Sequence, residues 1–401
     1  MSRRFFTNCC PVVSVLSLLC LMLILSVCLY ICVVLQVWEP AKVACNKEKE
    51  LIQQFIRDHE AATGATGTPL SLQPWDWRFY AEKIRQTRYN LDAAELKPYF
   101  SLPRMTEAIF DCAHRLFGLR FVLRPDITSY HPDVQTYEVW EEGADGKEFL
   151  RAIFLHDNYS RSTKQGGAWM SEYRSQSRNF SSCGGGAVRT DSRGETVVPV
   201  VVNNNNFCKA PEGQPTLLSF DDAVTLFHEF GHGLHGMLSD VTYQRLAGTS
   251  VLRDFVELPS QLFEHWLSQP EVLKKYARHH ATDEAIPDEL IARLKASQCF
   301  NNGFDTVEYL SSALVDQALH QQVSIPGNFS VAAFEKQELD ALSMPEGMLM
   351  RHRPTHFLHL FSCSSYASAY YVYLWAEVLD ADGFDAFLEK GKRSCSVNSV
   401  M

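Results

Sequence analysis

The residues of this sequence best suited to chemistry are His228-Glu229-Phe230-Gly231-His232. Two histidines at i and i+4 lie one above the other on a helix face. That spacing lets both imidazoles reach one zinc ion at about 2.0–2.1 Å. Glu229, between them, can act as general base on a zinc-bound water. A catalytic zinc needs a third protein ligand and an open position. His235, on the same face as His232, is one candidate; Glu257, in Asp254-Phe255-Val256-Glu257-Leu258-Pro259-Ser260-Gln261, is the other. Phe255, Leu258, Leu262 and Trp266 mark one face of the following helix, and Glu257, Gln261, Glu264 and Ser268 mark the opposite one. Glu257 is read as the third ligand, and Glu264, two turns on, as a candidate to orient a ligating histidine. His235 stands where a metzincin needs its glycine, so that class is excluded.

The elements that must hold these groups are legible around them. Phe220, Val224, Phe227, Leu234 and Leu238 repeat at helical spacing, and Ser219 with Asp222 predicts a capping-box start. Gly231, Gly233 and Gly236 are costly inside a helix, at about 1 kcal/mol each relative to Ala. Close packing against a neighbouring helix or a substrate would account for them. Alternation from Val134 to Leu155 around Asp145-Gly146 predicts a β-hairpin. Val197–Val202 predicts a further strand, read as an edge strand able to pair with substrate backbone. Helical spacing recurs over Lys47–Glu60, Trp75–Arg88 and Pro103–Phe117, with a linker at Thr63–Pro69, and helices dominate from Ser219 to Leu388. The expected fold is mainly α with a small β-sheet.

Composition bounds the rest. The 401 residues are 46% apolar and 21% charged, enough for a sizeable core. Lys plus Arg number 37 against 47 for Asp plus Glu, a net charge of −10, which disfavours a nucleic-acid partner. Five of the 12 cysteines lie in one apolar N-terminal stretch, and the other seven stand singly, without a C-x-x-C pair. Neither a thiolate metal site nor a dense disulfide framework is expected, and the body reads as a reduced, intracellular-type domain. Residues 5–38 carry no formal charge, and 12–37 are almost wholly apolar. The stretch is longer than a signal-peptide core and long enough for a membrane helix. Arg3 and Arg4 would set the N-terminus in the cytosol. Residues 1–38 are therefore a candidate transmembrane helix or signal anchor and 39–401 the catalytic domain; without insertion, the chain is expected in the cytoplasm.

The run Thr216-Leu217-Leu218-Ser219-Phe220-Asp221-Asp222, then HEFGHGLH and DFVELPSQLFEHW, resembles the thimet-oligopeptidase family of zinc peptidases, and within it the peptidyl-dipeptidase branch. The segments WEPAK (38–42), PWDWRFYAEKIR (74–85), FGLRF (117–121), GGAWM (166–170), HLF (359–361) and YASAYYVYLWAEVLDADGFDAF (366–387) agree. The resemblance implies a zincin-like helical catalytic domain, a monomer with one zinc ion, and short peptide substrates with dipeptides released from their C-termini. His228, His232 and Glu257 match the family's zinc ligands and Glu229 its base. Tyr366, Tyr373 and His359 match residues that line the site and help to stabilise the oxyanion. Seven residues apart, the two phenols would share a face if they stood on one helix. An endo-acting oligopeptidase is the alternative within the family; an inactive, membrane-tethered remnant is the alternative outside enzyme function. Relatives carry roughly 300 further residues before the WEPAK-like segment and several dozen after the FLEKG-like run. A fragment lacking the N-terminal half and the C-terminal end is therefore expected. Cys363 and Ala369 stand where the family's loop would carry glycines, and a Cβ at a positive φ there would cost energy.

Overall fold

The computed structural model describes residues 11–63, 71–143, 146–179, 188–191, 194–362 and 364–390. The chain divides into two compact units, one of residues 1–87 and 299–370 and one of residues 88–298 and 371–401.

In the first unit, the helix Pro11–Thr63 packs against the helix Asn302–His320. The side chains of residues 11–33 lie outside the described ones, and with them falls most of the stretch expected to form a membrane helix over 12–37. Among the described residues no helix is long and apolar enough to cross a membrane. Beyond that stretch, Val34, Trp38, Cys45, Ile52 and Ile56 are buried at helical spacing. Trp38 Nε1 donates to the Leu342 carbonyl at 3.1 Å. The two helices meet closely at Gly303, where an added Cβ would stand 2.4 Å from the backbone nitrogen of Cys45. Glu48 accepts the otherwise unserved amides of Gly303 (3.0 Å) and Phe304 (2.8 Å) at the helix start.

The second unit is built on a five-stranded sheet and the helices laid on it. Its strands are β1 (Leu119–Leu123), β2 (Gln135–Glu142), β3 (Glu148–Tyr159), β4 (Trp169–Arg174) and β7 (Val200–Phe207). A separate antiparallel pair is formed by β5 (Val188–Asp191) and β6 (Gly194–Val197). The sheet order is β1-β2-β3-β7-β4, antiparallel throughout except for the parallel β3–β7 pair. The predicted hairpin is β2–β3, turning at Gly146 with φ +74°; Asp145 lies outside the described residues.

The expectation for Val197–Val202 needs correction. Pro199 cannot donate to a ladder, and the run splits there: Val197 ends β6 and Val200 opens β7. Strand β7 then lies between β3 and β4, with both edges paired. It is no edge strand, and its triple valine reflects burial on both faces. The edge position on that side falls to β4, which begins in the last two residues of the GGAWM-like segment.

The helix Leu102–Phe117 begins with proline in its first turn and ends at Gly118 with φ +70°. Its Phe110 stacks on Phe121 of β1, with ring centroids 4.1 Å apart. Phe230 of the helix Phe220–Met237 joins the same cluster, 5.5 Å from Phe154 of β3. This aromatic layer fixes the height and rotation of the helix that carries both motif histidines.

Candidate metal centre

The helix Phe220–Met237 starts with the predicted capping box: Asp222 N–H donates to Ser219 Oγ at 3.0 Å and Ser219 N–H to Asp222 Oδ2 at 2.9 Å. Its three glycines are contact points. An added Cβ on Gly231 would stand 2.6 Å from Ser260 Cα, on Gly233 2.8 Å from Asn203 Oδ1, and on Gly236 2.5 Å from Met170 Cε. Gly231 thus admits the helix Leu258–Glu264, while Gly233 and Gly236 seat the histidine helix on β7 and β4. Gly231 is what lets Glu257, at the head of Leu258–Glu264, approach the histidines.

His228, His232 and Glu257 come together: one ligand atom from each lies within 4.8 Å of the others. Glu257 Oε2 is 3.1 Å from His232 Nε2 and 3.4 Å from His228 Nε2. Glu257 is buried, 1% exposed, at the junction of the short helix Arg253–Val256 and Leu258–Glu264. Ser260 Oγ donates to the Glu257 carbonyl at 2.8 Å and is 3.3 Å from its Oε2. Sequence reasoning missed this serine; its one signal is its place a single turn after a buried carboxylate. On the other ring edge of His228, Nδ1 lies 2.6 Å from Glu264 Oε1.

The electrostatics of the cluster fit a cation. Burial opposes a charged His228 ring, but Glu257 and Glu264 outweigh it and raise the ring to about 10. Burial likewise opposes ionised Glu257, but hydrogen bonds to the two histidines hold it well below the usual carboxylate range. Carboxylates flanking facing imidazole nitrogens are a donor set that a divalent ion of zinc's kind satisfies. Glu229 is also buried, and its Oε2 has no hydrogen-bond partner among the described residues. Burial raises its pKa, the two histidines pull it down, and Glu257 and Glu264 push it up.

His235, the other candidate for third ligand, is not in the cluster. Its ring faces Phe255 at 6.1 Å and lines an apolar cavity of about 570 Å³ with Leu116, Leu234 and Trp266. Burial, with His232 a smaller contributor, lowers its pKa.

Tyr373 lies in the first turn of the helix Val372–Glu389, in the same unit as the histidines, and its carbonyl accepts from Gln261 Nε2 at 3.2 Å. Tyr366 and His359 belong to the other unit, where their ring centroids are 4.4 Å apart. The two tyrosines do not share a helix. Tyr366 ends a 3-10 turn, Ser364–Tyr366, and Ser368 at φ +59° interrupts the backbone before Val372. The positive φ expected at Ala369 is carried by Ser368; Cys363 lies outside the described residues.

Comparison with known proteins adds the family. Residues 34–398 match the family described as peptidase family M3. The chain is 43% identical over 355 residues to a dipeptidyl carboxypeptidase of Salmonella typhimurium, covering 88% of this chain and 48% of that one. It is 40% identical over 327 residues to the Escherichia coli dipeptidyl carboxypeptidase (80% and 44%) and 34% identical over 321 residues to Escherichia coli oligopeptidase A (80% and 45%). The chain spans about half the length of the curated relatives it matches.

Proposed function

The chain belongs to peptidase family M3, and from that premise we propose that it is a zinc metallopeptidase catalytic domain that hydrolyses short peptides and releases C-terminal dipeptides. The observation that carries this reading is the meeting of His228, His232 and Glu257 beside the buried carboxylate of Glu229. The dipeptide product is favoured because the two dipeptidyl carboxypeptidases are 40–43% identical to this chain and oligopeptidase A is 34% identical.

In this reading His228 and His232 hold the ion through Nε2 and Glu257 through Oε2. Zinc, when bound, supplies Lewis acidity to the scissile carbonyl and to the attacking water. Glu264 accepts the Nδ1 proton of His228, which fixes the tautomer that leaves Nε2 free to bind. Glu229 takes a proton from the attacking water and passes it to the leaving amine; a carboxylate with a raised pKa suits both transfers. The Tyr366 and Tyr373 phenols are donors for the oxyanion, with the His359 ring packed on Tyr366. An extended peptide could add to β4, an edge strand among the described residues, where backbone hydrogen bonds would hold it without regard to sequence.

The test is a pair of peptides that differ only at the C-terminus. Release of dipeptides from the free acid, abolished by amidation, supports the exopeptidase reading. Internal cuts in both peptides would favour the endo-acting alternative instead. The stretch 12–37 is retained as a candidate membrane anchor, testable by alkaline carbonate extraction of membranes carrying the full chain.

A further inference from the structure

We propose that Asp316 is a positioning residue for the segment that carries His359 and Tyr366; the inference rests on the role given to Tyr366 above. Asp316 lies on the helix Asn302–His320 and is 2% exposed. A buried carboxylate persists only where several donors meet it. Here Oδ1 accepts the Ser368 amide at 2.9 Å and Oδ2 the Tyr370 amide at 3.1 Å. His320, one turn on, places Nδ1 2.7 Å from Oδ1.

The same helix face grips this turn at two more points. Gln317 Nε2 donates to the Ser368 carbonyl, and Tyr309 Oη donates to the Tyr370 carbonyl at 2.6 Å. Residues 309, 316, 317 and 320 recur at helical spacing, so one rigid element holds both backbone ends of Ser368 and of Tyr370. What they hold is strained: Ser368 sits at φ +59°, a conformation that a non-glycine residue keeps only when its surroundings impose it.

The grip reaches the candidate catalytic groups through ring packing. The Tyr370 ring lies 5.2 Å from Tyr309, 4.6 Å from Phe357 and 6.1 Å from His359, whose ring is in turn 4.4 Å from Tyr366. His320 stacks on Phe361 at 6.0 Å, from the helical turn that carries His359. Asp316 thus fixes the far side of the loop from which Tyr366 projects. A phenol displaced by an ångström loses much of its worth to a transition state.

Asp316→Asn tests this, because a carboxamide of the same shape has only one oxygen for two amide donors. Two readouts are taken on the full, zinc-loaded chain. Exchange of the Ser368 and Tyr370 amides is expected to accelerate about tenfold or more as their acceptor is lost. With a fluorogenic short peptide, kcat is expected to fall about tenfold or more while KM moves by less than about threefold. In a Tyr366→Phe background, the same substitution is expected to cost less than about twofold, because the group it positions is gone. Unchanged exchange, or kcat losses that simply multiply in the double variant, would overturn the proposal. A Tyr366→Phe variant with wild-type kcat would overturn the role of Tyr366, and amide exchange would then still decide whether Asp316 holds the turn. Should Asp316→Asn fail to fold, Gln317→Met removes one donor from the same turn and is read in the same way.

Discussion

His228 Nδ1 and Glu264 Oε1 are 2.6 Å apart, although 36 residues separate them in the chain. The contact exists because Gly231 lets the helix Leu258–Glu264 lie against the histidine helix. It gives the Nδ1 proton an acceptor, and in the proposed centre that leaves Nε2 to face the ion. Glu264→Gln keeps the shape but weakens the acceptor. Zinc affinity, measured by competition with a chromophoric chelator, is expected to fall about 10–100-fold. Unaltered affinity would remove Glu264 from the centre.

The packing at Gly231 makes a second expectation. Alanine there gains about 1 kcal/mol of helix propensity, but its Cβ would overlap the backbone of Ser260 and Pro259. Overpacking against backbone costs about 1–3 kcal/mol or more, so Gly231→Ala should lower the urea midpoint and also zinc occupancy. Gly236→Ala meets first the flexible end of Met170 and should cost less. Equal losses at both positions would contradict this account of the helix pair.

Stability should depend on pH through the cluster in a defined direction. His228 is raised from 6.5 to about 10, so its charged-ring contribution is full below pH 6.5 and lost as pH rises through about 10. Glu257 is held well below 4.5, so its contribution is present above pH 4.5 and lost as pH falls below that value. In chelator-treated protein, the Tm from scanning calorimetry should therefore decline between pH 6.5 and 10. Zinc binds the neutral ring and should flatten that decline. A Tm that rises over this range without metal would contradict the assignment.

Tyr373 lies in the first turn of its helix with its carbonyl held by Gln261. Removing one well-placed oxyanion donor costs about 10²–10³ in kcat. Tyr373→Phe should show a loss of that order with little change in KM. A change confined to KM would make Tyr373 a substrate-binding group instead.

Much of this was legible in the residues themselves. The i, i+4 histidines, the Ser219–Asp222 box and the three costly glycines all report one helix and the closeness of its neighbours. The meeting with Glu257 follows from chemistry, since a pair of facing imidazoles needs a further donor and a short amphipathic helix offers one. Glu264 was read from the same helix face, two turns on, as the group that orients a histidine, and its contact is with His228. The sheet order was not legible. A valine run reads alike at the edge or the middle of a sheet, and only Pro199 hinted that Val197–Val202 is two strands. Nor was the break between Tyr366 and Tyr373, because Ser368 at positive φ is imposed from outside. Asp316, more than fifty residues earlier, holds it there, and no local pattern announces that.

The central claim is that Glu229, beside the cluster of His228, His232 and Glu257, is the base of a peptidase. The most direct test is product analysis by mass spectrometry on zinc-loaded protein and its Glu229→Gln variant, with a peptide bearing a free C-terminus. The account predicts C-terminal dipeptides from the wild-type chain and none from the variant, with equal zinc content and equal Tm. Dipeptides released equally by both proteins, or no hydrolysis by a folded, zinc-loaded wild-type chain, would contradict it.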